Sequence, residues 1–210
     1  MHPSEEHSRN LPHFYHTGAT YFVTFRLHGS VPVALLNKLK NKYEFDKVTF
    51  KNDSDRLKKL AEEFFQEKES IQEQIHSGPK YLEINEINVL VKDQLHRFDQ
   101  EYYDLICYCI MCNHVHVLLD TSIQLDINNG SDHSHLNKIM KRIKGPTALY
   151  ANKVLNRSGR FWQEESYDHY IRNEKELNNI HSYILENPVI AGLVSQWDEW
   201  PHSFNKYSIW

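Results

Sequence analysis

The chain has 210 residues, 40% hydrophobic and 12% aromatic, which is too apolar for a disordered protein and enough for a sizeable core. Its formal net charge of −4 conceals local clusters of basic residues. Because no apolar run reaches the roughly 18 residues of a membrane span and residues 1–11 do not resemble a signal peptide, we expect a cytoplasmic protein without membrane contact.

The first half of the chain predicts one strand followed by helices. Residues 19–27 alternate aromatic and β-branched side chains between two faces, which is typical of a strand. Apolar residues at helical spacing then predict helices over residues 33–45, 53–76 and 87–98. The second of these has a charged outer face and contains no Gly or Pro, so it indicates a helical insertion at about 47–83.

The second half predicts two further strands, 103–111 and 114–119, and then a polar loop over 121–135. Further helices are predicted at residues 136–144, 146–155 and 174–187. Pro188 is expected to stop the last helix. This order of elements indicates an α+β fold with helices on one face of an antiparallel sheet, and we expect residues 1–210 to form that single domain.

A run of basic residues without any acid extends over residues 136–163. Such a surface binds phosphates, although a solvated helix face has the same composition. With one arginine further on, the candidates for contact with nucleic acid are Lys138, Lys141, Arg142, Lys144, Arg157, Arg160 and Arg172. The aromatic residues nearby could stack on unpaired bases or pack in the core, and they are Phe161, Trp162, Tyr167 and Tyr170.

His114 and His116 lie two residues apart in a predicted strand, so both imidazoles point to the same face. A divalent cation could take a nitrogen from each, although a lone His-x-His pair is more often structural. The nearby residues Cys107, Cys109 and Cys112 are either buried thiols or ligands of a structural zinc ion.

Three blocks of the sequence resemble one known family. Residues 111–118 read MCNHVHVL, residues 159–172 read GRFWQEESYDHYIR, and residues 183–194 read YILENPVIAGLV. In this order they resemble the REP-associated tyrosine transposases, a branch of the single-tyrosine HUH transposases, and the resemblance omits only about residues 47–83. The family usually has proline where Cys112 stands, so the joint before His114 differs in this chain.

The resemblance implies a ferredoxin-like HUH nuclease fold with C-terminal helices, and it implies roles for particular residues. His114 and His116 match the metal-binding histidines, and Tyr183 matches the nucleophile. Asn187 matches a polar residue that completes the metal site, and a helix places it on the same face as Tyr183. Glu186 is the alternative third ligand, because a carboxylate suits Mg²⁺ or Mn²⁺ better than an amide does.

The activity implied by the resemblance is metal-dependent nicking and joining of single-stranded or hairpin DNA through a 5′-phosphotyrosine. A phenol with a pKa near 10 is a weak nucleophile at neutral pH, so this chemistry needs the cation. We expect a monomer, with a dimer as the alternative. Two other functions stay open, namely a hairpin-binding module without catalysis and a zinc-stabilised interaction domain.

Overall fold

The computed structural model describes residues 5–8, 12–15, 18–51, 53, 56–57, 59–60, 63–64, 67, 78–127 and 135–207. The chain divides into two compact units, one formed by Met1–Leu27 with Lys80–Trp210 and the other by His28–Pro79. Whether the whole chain acts as one domain with an insertion at about 47–83 stays a prediction.

The larger unit is built on an antiparallel sheet. Among the described residues its strands are β3 (Thr20–Arg26), β4 (Asp104–Ile110), β5 (His114–Asp120), β6 (Tyr167–Tyr170) and β7 (Ser203–Asn205). Their order across the sheet is β6-β3-β5-β4-β7, and every neighbouring pair is antiparallel. The first four of these strands thus adopt the ferredoxin-like order fourth, first, third, second. A separate hairpin pairs β1 (Glu5–Ser8) with β2 (Pro12–Tyr15).

Helices cover both faces of this sheet. The described helices are α1 (Val33–Thr49), α2 (Asn85–Arg97), α3 (Ile123–Ile127), α4 (Leu136–Val154) and α5 (Glu174–Ile190). Helix α1 belongs to the smaller unit, and the others belong to the larger one. Short 3-10 turns occupy Tyr81–Glu83 and Trp197–Glu199. None of the described helices is long and apolar enough to cross a membrane.

The main hydrophobic core lies between the sheet and the pair α2 and α4. Alternate residues of β3 and β5, such as Val23 and Val117, are buried against Val91 of α2 and Ile143 of α4. The intervening residues of the same strands point to the opposite face, which α5 covers. The α+β fold with a ferredoxin-like sheet is therefore confirmed, and the C-terminal helix α5 lies on the face that α2 and α4 leave uncovered.

The three predicted strands are confirmed to within about two residues, whereas the short ones were missed. Strands β6 and β7 have four and three residues, too few for a period of two to stand out. The loop predicted over 121–135 contains α3, and its residues 128–134 lie outside the described part of the chain. Of the helix predicted over 53–76, the described residues 56–57, 59–60, 63–64 and 67 are helical.

The predicted helix break at Pro146 is wrong, because α4 continues through it. A proline within a helix cannot donate to the carbonyl four residues earlier, which here belongs to Arg142. The side-chain amide of Gln94, on α2, donates to that carbonyl at 2.8 Å. The neighbouring helix thus supplies the missing hydrogen bond, and the proline is tolerated.

The predicted end of the last helix before Pro188 is also wrong, because α5 runs to Ile190. Gly192 ends it, with a φ of 68° that an L side chain rarely adopts. The Gly192 N–H donates to the Val189 carbonyl and the Leu193 N–H to the Pro188 carbonyl, both at 2.9 Å, which is a Schellman motif. Asn187 is therefore followed by a further turn of helix.

Candidate active site

Two histidines meet on the central strand of the sheet. His114 and His116 are both buried on β5, and their ring centroids are 4.6 Å apart with the planes at 79°. Directly across the sheet, β3 pairs Arg26 with His114 and Thr24 with His116. Because opposite residues of antiparallel strands share a face, these four side chains point to the same side of the sheet.

Each imidazole is oriented through its Nδ1 atom. Nδ1 of His114 lies 2.7 Å from the amide oxygen of Asn113, and Nδ1 of His116 lies 2.8 Å from the hydroxyl of Thr24. An amide oxygen can only accept, so Nδ1 of His114 carries its proton and Nε2 has the free lone pair. Within the described ranges, neither Nε2 atom has a hydrogen-bond partner, and both are buried. Two buried, unsatisfied ring nitrogens side by side suit a shared divalent cation.

The environment keeps both imidazoles neutral. Burial lowers the pKa of His114 and of His116 well below the usual range, and the positive charge of Arg26 lowers both pKa values further. A histidine binds a metal only in its neutral form. The pair is therefore in the ligand form at physiological pH.

Helix α5 brings the candidate nucleophile to the histidines. The ring centroids of Tyr183 and His116 are 5.4 Å apart. Phe22, on β3, contacts both rings, at 6.0 Å from Tyr183 and 5.7 Å from His116. The half-buried phenol and the buried imidazole pair, more than 60 residues apart in sequence, thus share one cluster of rings.

The start of α5 is fixed by its own residues. The side chain of Asn173 accepts from the Glu176 N–H at 2.9 Å, which caps the helix. The carboxylate of Glu176 accepts from the Arg172 N–H at 2.7 Å and lies 2.8 Å from Nε2 of His169 on β6. The helix that carries Tyr183 is therefore tied to the edge of the sheet two turns before the phenol.

Asn187 and Glu186 differ sharply in placement. Asn187 is 2% exposed, and its amide donates to the Tyr183 carbonyl at 3.3 Å, whereas Glu186 is exposed. In the part of the chain that the structure describes, no third His, Cys, Asp or Glu joins the histidines in a group able to hold a metal. The alternative ligand Glu186 is thus not brought to the site, and Asn187 stays the candidate for the third ligand.

The predicted phosphate contacts divide into two groups. The exposed residues are Lys138, Lys141, Arg160 and Arg172, of which Arg160 pairs with Glu164 at 3.3 Å. The others are engaged within the fold. The guanidinium of Arg142 lies 4.1 Å from the ring centroid of Tyr102, and that of Arg157 lies 5.2 Å from the ring centroid of Tyr81.

Lys144 is the clearest case of a basic residue whose side chain forms hydrogen bonds within the fold. Its ammonium donates to the Gln163 carbonyl at 2.8 Å and to the Glu164 carbonyl and the Ser166 hydroxyl at 3.0 Å. Burial lowers the pKa of Lys144 to about 8. An ammonium has three hydrogens to donate, and all three are used here.

The remaining predicted candidates serve mainly in packing. Phe161 and Trp162 are buried, and the Trp162 indole donates to the Thr147 hydroxyl at 2.9 Å. Cys107 and Cys109 are buried thiols, and burial raises the pKa of Cys109 to about 12. Since no metal-holding group of three His, Cys, Asp or Glu occurs among the described residues, a structural zinc site on these cysteines has no support there.

Sequence reasoning missed Thr24, Arg26 and Phe22 as part of the site. The signal available was the polar pair Thr24 and Arg26 at alternate positions of an otherwise apolar strand, which indicates that this face of the strand has a role besides core packing. Which residues they would face depends on the register between β3 and β5, and the sequence does not determine that register.

Comparisons with known proteins agree with the motifs. No family model matches the chain. A protein of Haemophilus influenzae named as a REP-associated tyrosine transposase is 29% identical over 103 residues, which cover 48% of this chain and 58% of that relative. The solved structure of a REP-associated tyrosine transposase bound to a REP hairpin superposes with a TM-score of 0.55 at 16% identity, covering 95% of this chain and 81% of that one. In sequence and in fold, the chain thus resembles the REP-associated tyrosine transposases.

Proposed function

We propose that this protein nicks and joins single-stranded DNA in a metal-dependent reaction in which Tyr183 is the nucleophile. The observation that carries the proposal is the 5.4 Å separation of the Tyr183 and His116 rings, beside two buried Nε2 atoms that have no partner among the described residues. A phenol next to a buried pair of neutral imidazoles suits a metal-assisted attack on phosphorus.

A DNA hairpin with single-stranded flanks is the proposed substrate. The similar solved structure holds a REP hairpin, which supports this choice for the present chain. The exposed residues Lys138 and Lys141 could contact phosphates at the surface. DNA binding should therefore depend strongly on salt.

Each residue of the site has a proposed role in the reaction. His114, His116 and the amide of Asn187 would hold Mg²⁺ or Mn²⁺, which when bound neutralises a non-bridging phosphate oxygen. Thr24 and Asn113 keep the two imidazoles oriented through Nδ1.

The covalent step exchanges one phosphodiester for another. The Tyr183 oxygen loses its proton and forms a bond to phosphorus, while the bond from phosphorus to the 3′ oxygen breaks. That 3′ oxygen takes up a proton and leaves as a free hydroxyl, and the 5′ phosphate stays on the tyrosine. Attack by the 3′ hydroxyl of another strand reverses the exchange and joins the strands without an external source of energy.

A labelled hairpin oligonucleotide with Mn²⁺ or Mg²⁺ tests the proposal through the covalent adduct that it leaves on the protein. We expect an adduct of the wild type on a denaturing gel that Tyr183→Phe reduces by more than about 10³-fold, because the nucleophile is gone. His114→Ala should nearly abolish the adduct as well. Tyr170→Phe, which removes a half-buried phenol of β6, is the matched control and should react like the wild type.

Two results would contradict the proposal in different ways. An adduct that persists in Tyr183→Phe would mean that another residue is the nucleophile. Hairpin binding by the wild type without any adduct would favour the alternative function, a binding module that has lost catalysis.

A further inference from the structure

A cavity of about 380 Å³ opens at the surface between α4 and residues 159–168, the segment that leads into β6. Val23, on β3, is part of its lining and points to the face of the sheet that α4 covers. The next residue, Thr24, points to the opposite face, where His114 and His116 lie. The cavity is therefore separate from the candidate active site and lies on the other side of the same sheet.

The inner part of the lining is apolar and firmly held. Met140, Phe161 and Trp162 line the cavity and are buried, and the rings of Phe161 and Trp162 are 4.8 Å apart with their planes at 85°. The indole of Trp162 also donates to the Thr147 hydroxyl at 2.9 Å, which fixes the plane of its ring. An apolar surface built from fixed aromatic rings suits a flat aromatic ligand.

The charges around the cavity balance one another. Three basic and three acidic residues line it, namely Lys141, Lys144, Arg160, Glu164, Glu165 and Asp168. Arg160 pairs with Glu164 at 3.3 Å, and Lys144 uses all three of its ammonium hydrogens within the fold. A neutral ligand therefore suits the interior of the cavity better than an anion or a cation does.

Two neutral amides add polar groups to this lining. Gln163 is half-buried on the segment that faces α4, and Asn137 is exposed on α4. A side-chain amide can donate and accept, as the edge of a nucleobase does. Lys141, the proposed phosphate contact on α4, lines the same cavity and is exposed. The lining thus matches a nucleotide whose base lies inside the cavity and whose phosphate lies at Lys141.

We propose that this cavity binds one unpaired base of the DNA substrate. The inference rests on the proposed function, because it takes hairpin DNA with single-stranded flanks as that substrate. The volume is at the lower end of the range for small-ligand sites, so the cavity admits a base but no duplex. The base therefore comes from a loop, a bulge or a flank, where leaving the stack costs little. The strand is held on one face of the sheet and cut on the other.

A fluorescently labelled hairpin with single-stranded flanks tests the inference through its binding, which anisotropy measures in EDTA so that no adduct forms. In a series of such oligonucleotides, one unpaired nucleotide at a time is made abasic, which removes the base and keeps the phosphate. We expect at least one position at which this change weakens binding to the wild type by about tenfold, because a stacked base is lost.

Two variants of the lining locate that base in the cavity. Ala148 is half-buried in the lining, so Ala148→Leu occupies space inside the cavity. This variant should bind the intact hairpin about tenfold more weakly than the wild type, and the abasic change at the sensitive position should then have no further effect. Asn137→Leu, at an exposed position of the same lining, removes an amide and should also reduce the effect of the abasic change.

Val154→Leu is the matched control for these variants. It enlarges an exposed side chain of α4 outside the cavity, so it should bind the intact and the abasic hairpins as the wild type does. Circular dichroism melting curves check that each variant is folded. Asn137→Leu changes an exposed residue, so it keeps the test decisive if Ala148→Leu does not fold.

The outcomes separate the inference from the function on which it rests. If the wild type does not bind the hairpin, the proposed function fails. If the wild type binds it but no abasic position weakens binding, or if the folded variants of the lining keep the full effect of the abasic change, only the base site is overturned.

Discussion

His114 and His116 are held by different partners, a side-chain amide on the preceding residue and a hydroxyl on the neighbouring strand. Losing either partner would free one ring to rotate about its side-chain bonds. The pair therefore depends on the register between β3 and β5 as much as on its own sequence. A shift of that register by one residue would move Thr24 and Arg26 to the opposite face of the sheet.

At this scale the sequence predicts some positions of the site and not others. The shared face of His114 and His116 follows from the period of two along a strand. The approach of Tyr183 follows from no periodicity, and only the resemblance to a family favoured it. Arg26 could not be predicted, because its nearness to the histidines arises from pairing between strands about 90 residues apart.

The exposed and internally bonded lysines of α4 should behave differently in DNA binding. Lys141→Ala is expected to lower the slope of log affinity against log salt by about 0.7 to 0.9, because one phosphate contact is lost. Lys144→Met should leave the slope unchanged, since its ammonium already donates to Gln163, Glu164 and Ser166. Fluorescence anisotropy of a labelled hairpin at several salt concentrations measures both slopes. A larger change in slope for Lys144→Met than for Lys141→Ala would refute this difference between the exposed and the internally bonded lysine.

Among the secondary-structure elements, both helix boundaries predicted at prolines were wrong. A proline ends a helix only when nothing else satisfies the backbone groups that it leaves unpaired. Gln94 supplies a donor at Pro146. Beyond Pro188, the Schellman turn at Gly192 satisfies the carbonyls of Pro188 and Val189 and so ends α5 after Ile190. Such compensation comes from residues far away in sequence or from the conformation after the helix, and local pattern reasoning sees neither.

The hydrogen bond from Gln94 gives a testable prediction about helix α4. Gln94→Leu should lower the free energy of unfolding by about 1–3 kcal/mol, because it leaves the part-buried Arg142 carbonyl without its donor. Pro146→Ala restores a backbone N–H that can bond to that carbonyl. In a protein that already carries Pro146→Ala, Gln94→Leu should therefore lower the free energy of unfolding by less. Urea denaturation of the four proteins in this double-mutant cycle measures the coupling. If Gln94→Leu lowers the free energy of unfolding equally with and without Pro146→Ala, Gln94 does not compensate for the proline.

For the whole molecule, the candidate site lies entirely within the larger unit, on the two central strands of its sheet and on α5. The sheet order was predictable only through the family resemblance, because strand order depends on long-range pairing. The site also needs residues from both halves of the chain. A single chain nevertheless supplies the histidines and the tyrosine together.

That arrangement predicts a site that one chain completes alone. A mixture of His114→Ala and Tyr183→Phe should form no more adduct than either variant alone, because each molecule then lacks one essential group. Chains that exchanged α5 between two subunits would instead restore intact sites in the mixture. The hairpin adduct assay measures the difference, and light scattering of the wild type gives its mass in parallel. Recovery of the adduct on mixing would establish the dimer as the working form.

The closed packing over the histidines has a kinetic consequence. His116 has no exposed surface, and the ring of Tyr183 packs against it. In the proposed reaction a strand and a cation have to reach imidazoles that the Tyr183 ring covers, so we expect α5 to move aside and return before bond exchange. Once DNA is saturating, the rate of the proposed reaction cannot exceed the rate of that movement. Collective helix motions take microseconds to milliseconds. We therefore expect the anchoring of α5, in addition to the reactivity of the phenol, to set an upper limit on the turnover of the proposed reaction.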